Sequence, residues 1–578
     1  MLDIVKASAG SGKTHLLTGQ YISMLFKESQ FPYTNYKTIL AVTFTNKATA
    51  EMKERILKEL YKLSVEPEKS DYYEKLLETP LVQKKEEEER CEFIKAHSGK
   101  LLVSILNDYS YFNVSTIDKF FQKVMRSFAR ELGQYISYNI ELDHKEILSM
   151  AVDLIMNSVG ENEALLQKLL KISKENIEEE KGWDATNDIL NLASQLFEEN
   201  FKLLRNRQAG NWLKDGDIEE VSNYVNGVIN TRKKRMKEIG TQGRKIMSDY
   251  GLDPTDFKNG SKSPFKYFSK LEKGRIEPLT ATFKKLVNLS EWYSNGSKCK
   301  ERIIAAADAG LMALVEELVW ENDEKILEYN TAVEVKKRLT MLGILLDVEK
   351  KVQEYCHENN SVILSETTQF LSKIIEGNDT PFIYEKVGGR IDNYLLDEFQ
   401  DTSVMQWQNF RPLIKEGIDN GSDSLIVGDV KQSIYRWRGS DWSLLNHKIY
   451  SDFDNRKIRP DSLEYNWRSS ENVINFNNSF FGHINELLAK DPIFHQNSVN
   501  QVYQDYFQKI HEKRIPAKGH VYVKFVEIKG TSAMRNSDEV REEFLARVKD
   551  LIEGGYSQKD IAVLVRKNDE GQEVSNLL

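Results

Sequence analysis

The chain has 578 residues, 40% of them hydrophobic and 29% charged, with a formal net charge of −9. Such a length exceeds one compact domain, and the composition is that of an ordinary soluble protein. The acidic balance argues against a small basic nucleic-acid module, which draws its affinity from phosphate neutralisation, so any nucleic-acid site has to be a local basic groove.

No run approaches the ~20 apolar residues of a membrane span, so no membrane partner is expected. Met1 to Lys6 lead straight into a strand-like segment with no basic-then-apolar leader. Cys91, Cys299 and Cys356 are far apart and show no metal-ligand spacing. Sparse cysteine suits a reducing compartment, and a cytoplasmic location is expected.

In chain order, Leu2 to Lys6 predicts a strand, followed by a Gly-rich turn and a helix from about Thr14 with Leu16, Leu17, Ile22 and Leu25 on its apolar face. Ala7-Ser8-Ala9-Gly10-Ser11-Gly12-Lys13-Thr14 is a phosphate-binding loop pattern with Ala7 in place of the usual first Gly. Gly10 and Gly12 let backbone N–H groups face an anion, and the helix adds its positive end. Lys13 is suited to the β- and γ-phosphates and the Thr14 hydroxyl to Mg²⁺, which makes ATP and Mg²⁺ the expected cofactors.

Thr38 to Thr43 predicts a second buried strand and Ala48 to Leu63 a second helix, the alternation of a parallel α/β sheet. Residues 66–100 turn charged, centred on Lys84 to Arg90, and read as a solvated helical insertion. Residues 135–375 are rich in helix formers and read as an all-α insert. Two basic stretches within it, Thr231 to Arg235 and Lys262 to Lys270, fit solvated helix faces better than a duplex-DNA lining.

Strand signals return at Ile391 to Leu396 and Ser424 to Val427. The first ends in Asp397-Glu398. An Asp closing an apolar strand can hold Mg²⁺ through water, and the Glu after it can deprotonate an attacking water, which points to hydrolysis as well as binding. Beyond ~446, strands are expected near Ser462 to Tyr465, His520 to Val526 and Ile561 to Val565, with an amphipathic helix over Val540 to Ile552. The domain plan is therefore 1–134 and 376–445 as two parts of one lobe, 135–375 as its insert, and 446–578 as a second, incomplete lobe.

Three strings carry a family resemblance: V-T-F-T-N-K-A-T-A-E-M at Val42 to Met52, D-E-F-Q-D-T at Asp397 to Thr402, and V-G-D-V-K-Q-S-I-Y-R-W-R-G-S-D-W at Val427 to Trp442. With the loop at Lys13 and I-A-V-L-V-R at Ile561 to Arg566, they resemble UvrD/Rep superfamily 1 helicases, and most of all the AddA/RecB helicase–nuclease branch. The resemblance implies two RecA-like P-loop lobes, the first interrupted by the all-α insert. It also implies 3′ to 5′ translocation on single-stranded DNA, in a helicase–nuclease that repairs double-strand breaks. A repair helicase without nuclease, and a DNA-binding subunit with a decayed motor, are the alternatives. Further expected partners are duplex DNA ends and a second nuclease or helicase subunit.

Residue by residue, the resemblance assigns Gln432 to sensing the γ-phosphate and Arg468, in N-W-R-S, to reaching that phosphate across the lobe interface. Trp467 stands where Tyr is usual and is expected to stack on adenine, with His15 on the base's other face. For the single strand it assigns Phe44, Thr45 and Asn46, Thr116 in V-S-T-I-D, and the stacking and cationic pair Trp437 and Arg438. Asp118 stands where the family usually has His, and its charge opposes a phosphate contact. The family's later motifs do not occur before Leu578, so a C-terminally truncated motor that binds Mg-ATP but turns it over poorly is expected.

Overall fold

The computed structural model describes residues 1–127, 139–141, 144–160, 162–178, 182–207, 215–294, 296–359, 361–363, 389–491, 499–512, 518–526 and 538–578. By its contacts the chain divides into two units. One comprises Met1–Ala7 with Lys13–Ser462, the other Ser8–Gly12 with Leu463–Leu578.

The first unit is built on a six-stranded sheet. Its strands are β1 (Leu2–Ala7), β2 (Ile39–Thr43), β3 (Val114–Thr116), β4 (Asn393–Leu396), β5 (Ser424–Gly428) and β6 (Ile458–Leu463). Their spatial order is β3-β2-β4-β5-β1-β6. The first five are parallel, with Ile4 opposite Ile426, Leu395 opposite Leu425 and Leu40 opposite Tyr394. Every residue of β2, β4 and β5 is buried, as strands covered by helices on both faces require.

Those helices follow from apolar periodicity. Lys13–Leu25 buries Leu17, Tyr21, Ile22 and Leu25. Asn46–Val65 starts where the Thr45 hydroxyl accepts the Ala48 N–H at 3.1 Å, an N-cap that ends β2's exit loop. Ile117–Ser127 buries Ile117, Phe120, Phe121, Val124 and Met125. The rings of Phe120 and Phe121 stand 5.6 and 4.7 Å from that of Phe410. The charged 66–100 stretch is helical as expected, yet Glu87–Asn107 buries Ile94, His97, Leu101 and Ile105 along one face. It is a packed layer of the unit, with the charges turned outward.

Between β3 and β4 the described residues are mostly helical, spanned by the long helices Asp215–Asp249 and Ile326–Glu358. This region holds two separate large cores, one around Ile155, Ile189 and Ile344, the other around Phe265, Phe268 and Trp292. The boundaries expected near 134 and 375 lie outside the described residues.

The lysines of the two basic stretches, Lys233, Lys234, Lys262, Lys266 and Lys270, are exposed as expected, but other members of both stretches are packed. Arg232 is 7% exposed and donates to the Glu321 carboxylate at 2.8 Å, and Arg235 donates twice to Glu317 at 2.7 Å. Phe265 and Phe268 are fully buried, and the Tyr267 hydroxyl donates to the Glu277 carbonyl at 2.6 Å. A cation inside a helical region can face a carboxylate on a neighbouring helix, which sequence alone does not show.

Near the expected boundary at 446, the strand signal falls on β6, which lies beside β1, so the contact division comes later, at Ser462/Leu463. In the second unit, Tyr465–Asn466 and Lys509–Ile510 form a short parallel pair, and helices span Glu471–Lys490 and Asp538–Glu553. The strands expected over His520 to Val526 and Ile561 to Val565 are not formed. Phe525 and Leu564 are 93% and 95% exposed, and a strand needs a neighbour to satisfy its N–H and C=O groups. Among the described residues no helix is long and apolar enough to cross a membrane.

Candidate nucleotide site and DNA-contact residues

In a parallel sheet the loops at the carboxyl ends of the strands converge, and ligands bind there. The chain leaves β1 into the Ser8–Gly12 loop, β4 into Asp397-Glu398 and β5 into Asp429. These three strands are neighbours, which gathers segments almost 400 residues apart in sequence.

Within the first unit, Lys13 Nζ lies 3.0 Å from Glu398 Oε2, and the lysine side chain is 10% exposed. Glu398 also accepts from Gln400 Nε2 at 2.7 Å. Gln400 is 1% exposed, and its own side-chain oxygen accepts the Asp429 N–H at 2.8 Å. Asp429 in turn accepts from Gln432 Nε2 at 2.7 Å and pairs with Lys431 at 2.8 Å. A continuous hydrogen-bonded line thus runs from Lys13 through Glu398, Gln400 and Asp429 to Gln432. Gln400 stands in the string D-E-F-Q-D-T, but its part in the line is visible only once its burial is known.

Glu398 has φ 48°, ψ 44°. Among the described residues Asn259 is the only other non-glycine with positive φ, and it stands in a turn. An acidic side chain held in the left-handed region costs on the order of 1 kcal/mol or more, strain of a kind that collects at functional sites. The Asp397 carboxylate accepts the Glu398 N–H at 2.9 Å, which helps hold that backbone.

Burial, then the charge of Glu398, pushes Asp397 up to about 6 against the opposing pull of Lys13. Asp401 is likewise pushed up to about 6, again by burial first and Glu398 second. These two carboxylates, half-buried at Asp397 and buried at Asp401, are hard oxygen donors of the kind Mg²⁺ prefers. A carboxyl raised in the folded chain holds a proton that the unfolded chain has already released between about pH 4 and 6. Stability of the nucleotide-free protein should therefore fall as pH rises through that window and level off above it. Cation binding runs the other way, because the proton competes for the same oxygens. Mg-nucleotide affinity is expected to weaken below about pH 6, by up to about tenfold per unit for one proton. Titrating wild type against Asp397→Asn from pH 5 to 8 separates this from the nucleotide's own ionisation; identical curves would remove Asp397 from the cation site.

Thr14 stands in the first turn of the first helix, where its carbonyl accepts from the Thr18 hydroxyl at 2.8 Å. His15 stacks on Tyr72 with ring centres 4.7 Å apart, and the Tyr72 hydroxyl donates to the His15 carbonyl at 3.2 Å. Burial, aided by Arg55 and Lys75 against Asp71, holds its imidazole below the ordinary value. One ring face of His15 is thus already taken by Tyr72.

Within the second unit, the Ser8–Gly12 loop is tied to Asn466 and Trp467. Asn466 Nδ2 donates to the Ala9 carbonyl at 3.2 Å, Gln508 Nε2 to the same oxygen at 3.0 Å, and the Trp467 N–H to the Gly10 carbonyl at 2.8 Å. The Asn466 side-chain oxygen accepts the N–H groups of Arg468 and Ser469 at 2.9 and 2.8 Å. Gly10 is required: its φ is +76°, and an added Cβ would stand 2.9 Å from Arg468 Cβ and Asn466 Oδ1. Ser11 is 4% exposed and its hydroxyl donates to the Ser8 carbonyl at 2.7 Å. Trp467 is 43% exposed and stacks on His511 at 3.8 Å. Asn466 heads the N-W-R-S string, whereas nothing in the sequence marks Gln508, which only its bond to the Ala9 carbonyl reveals.

The DNA-contact candidates lie at the carboxyl ends of β2 and β3 and in the loop after Gln432. Phe44 packs on Tyr435 with ring centres 4.6 Å apart. Thr45 and Asn46 are exposed at the start of their helix. Trp437 is 66% exposed, with the Arg438 guanidinium 4.9 Å from its ring centre and 5.8 Å from that of Tyr435. Thr116 is 8% exposed, and its hydroxyl accepts the Lys119 N–H at 3.4 Å. Asp118 accepts from Gln406 Nε2 at 3.4 Å; desolvation raises its carboxyl, opposed by the charge of Arg438.

Comparison with known proteins meets this geometry. The chain is 23% identical over 620 residues to exonuclease/helicase subunit RexA of Lactococcus lactis subsp. cremoris, covering 100% of this chain and 47% of that protein. It is 25% identical over 513 residues to an ATP-dependent helicase/nuclease subunit of Listeria monocytogenes, covering 83% and 38%. Against RecBCD enzyme subunit RecB of Haemophilus influenzae it is 22% identical over 548 residues, covering 86% and 40%. The chain thus spans about half or less of the length of these curated relatives. The sequence pattern of the UvrD/REP helicase N-terminal domain matches residues 3–454, well over half of the chain. With its phosphate loop, its strand-end acids and nearly all of the five parallel strands inside that match, the chain belongs to the UvrD/REP helicase family, on its AddA/RecB side.

Proposed function

We propose that this chain is the motor part of an ATP-driven helicase that moves 3′ to 5′ along single-stranded DNA, within a helicase–nuclease of double-strand-break repair and recombination. The observation that carries the reading is the line from Lys13 through Glu398, Gln400 and Asp429 to Gln432. It joins a phosphate-binding lysine to an acid fit to take a proton from water, and that acid to a glutamine on the loop bearing Trp437 and Arg438. ATP chemistry and DNA contact then share one mechanical element.

In this reading Ser8 to Thr14 cradle the phosphates and Lys13 neutralises them. Bound Mg²⁺, held through Asp397 and the Thr14 hydroxyl, would withdraw charge from the terminal phosphate. Glu398 orients and deprotonates the attacking water, Gln432 reports the terminal phosphate, and Arg468 meets the charge that develops on it. Trp467 and His15 serve the adenine; Phe44, Thr45, Asn46, Thr116, Trp437 and Arg438 serve the strand. The relatives' printed names, which describe helicase/nuclease and RecBCD subunits, support the helicase–nuclease setting and the presence of a partner. Two RecA-like lobes with a helical insert remain the organisation proposed.

The test is Lys13→Ala in the full-length protein. Loss of single-strand-stimulated ATPase by about a hundredfold or more, together with loss of unwinding, is expected. A variant that unwinds as fast as wild type would overturn the motor reading.

A further inference from the structure

The helix Ile117–Ser127 has a second face. Its apolar side is locked in the core, while Lys119, Lys123 and Arg126, at positions i, i+4 and i+7, share one exposed side. With Gln122 and Ser127 these three cations line a groove of about 540 Å³. Among the described residues none of the three has a carboxylate at ion-pair distance. Lys123 Nζ reaches only the Asn113 side-chain oxygen, at 3.4 Å. Asp118, the acid of the same helix, is turned to Gln406 and Arg438.

Positive charge therefore accumulates here without a carboxylate partner among the described residues. A fourth cation adjoins it: Lys53, whose ammonium is held below its ordinary value by burial and then by the charge of Lys119. Lys53 Nζ stands 5.0 Å from the ring centre of Tyr109, which is 44% exposed. In a chain of net charge −9 such a concentration is local and specific. Three cations spread over about 10 Å of helix match a run of phosphates better than a single anion. The exposed Tyr109 adds the stacking surface that single-strand binders use and duplex binders do not need.

We propose that Lys119, Lys123 and Arg126 form a phosphate-binding groove for single-stranded DNA, with Tyr109 as an adjoining base-stacking face. The groove lies on the helix that follows β3, the strand paired with β2, and Lys123 reaches back to Asn113, just before β3. It also supplies, within the same helix, the positive contact that Asp118 cannot make. The inference rests on the helicase reading above, which it extends to a second set of DNA contacts.

The test is the salt dependence of binding to fluorescent oligo(dT), measured by anisotropy on the full chain from about 50 to 300 mM salt. Each phosphate contact contributes about 0.7 to the slope of log K against log salt for a single strand. The triple variant Lys119→Gln, Lys123→Gln, Arg126→Gln should flatten that slope by about 2. A Lys119→Arg, Lys123→Arg variant should keep it, which separates charge from packing. Tyr109→Ala should weaken binding about fivefold or more at an unchanged slope. An unchanged slope in the triple variant overturns the groove. So does a slope loss seen only with a blunt hairpin duplex, at about 0.9 per contact, because the single strand would then not be its ligand. If wild type binds neither DNA, the helicase reading itself fails, an outcome distinct from loss in the variant alone.

Discussion

Glu398→Gln in the full-length protein is expected to lower DNA-stimulated ATP turnover about 10²–10⁴-fold while Mg-ATP still binds. The amide keeps the size of the side chain and can still accept from Gln400 Nε2, which lies 2.7 Å away in the wild type. It cannot take a proton from water. Nor can it hold Lys13 as the carboxylate does at 3.0 Å, so the ammonium is released toward the phosphates and nucleotide affinity should be equal or higher. The left-handed backbone at this residue is no obstacle, because the substitution does not change the constraint on φ. Single-turnover hydrolysis together with a nucleotide-binding titration checks both halves. Turnover within about tenfold of wild type would take the proton-accepting role away from Glu398.

Much of this site is legible before folding because its parts are local. The glycines, lysine and threonine of residues 10–14 act through the backbone of one loop and the helix that follows it. Asp397 and Glu398 act from the end of one apolar strand. What joins them is strand order, which is not local: β4 and β5 separate β2 from β1, and the chain crosses a long helical region before β4 is made. The same limit explains the misses. Arg232 reads as part of a basic run until Glu321, on another helix, is seen to meet it. The segment His520 to Val526 has a strand's alternation, but a strand exists only with a partner, and Phe525 is almost fully exposed. Gln400 reads as one polar letter between Phe399 and Asp401. Only its burial, and the close approach of Gly428, whose added Cβ would stand 2.8 Å from Gln400 Oε1, show that it is held in place.

That placement makes Gln400 the residue whose loss should separate ATP binding from coupling. Gln400→Leu keeps much of the volume but removes the donor to Glu398 and the acceptor for the Asp429 N–H. Leaving that buried N–H unsatisfied costs about 1–3 kcal/mol, enough to let the loop carrying Gln432 move from its position against Asp429. KM for ATP should change little, because Lys13 and the glycines are untouched, while kcat falls about tenfold or more and the ratio of DNA-stimulated to basal ATPase collapses toward one. Gln400→Glu fails differently. It restores an acceptor for the Asp429 N–H but sets a second carboxylate against Glu398, and like charge raises the pKa of both acids. A base must be ionised to act, so the acidic limb of the kcat–pH profile should move to higher pH, with the DNA-stimulation ratio partly retained above it. If Gln400→Leu keeps the wild-type stimulation ratio, the hydrogen-bonded line is only structural. The coupling must then run through groups other than Gln400, and Asp429 with its partner Gln432 would answer to DNA without any help from the acid that handles the water.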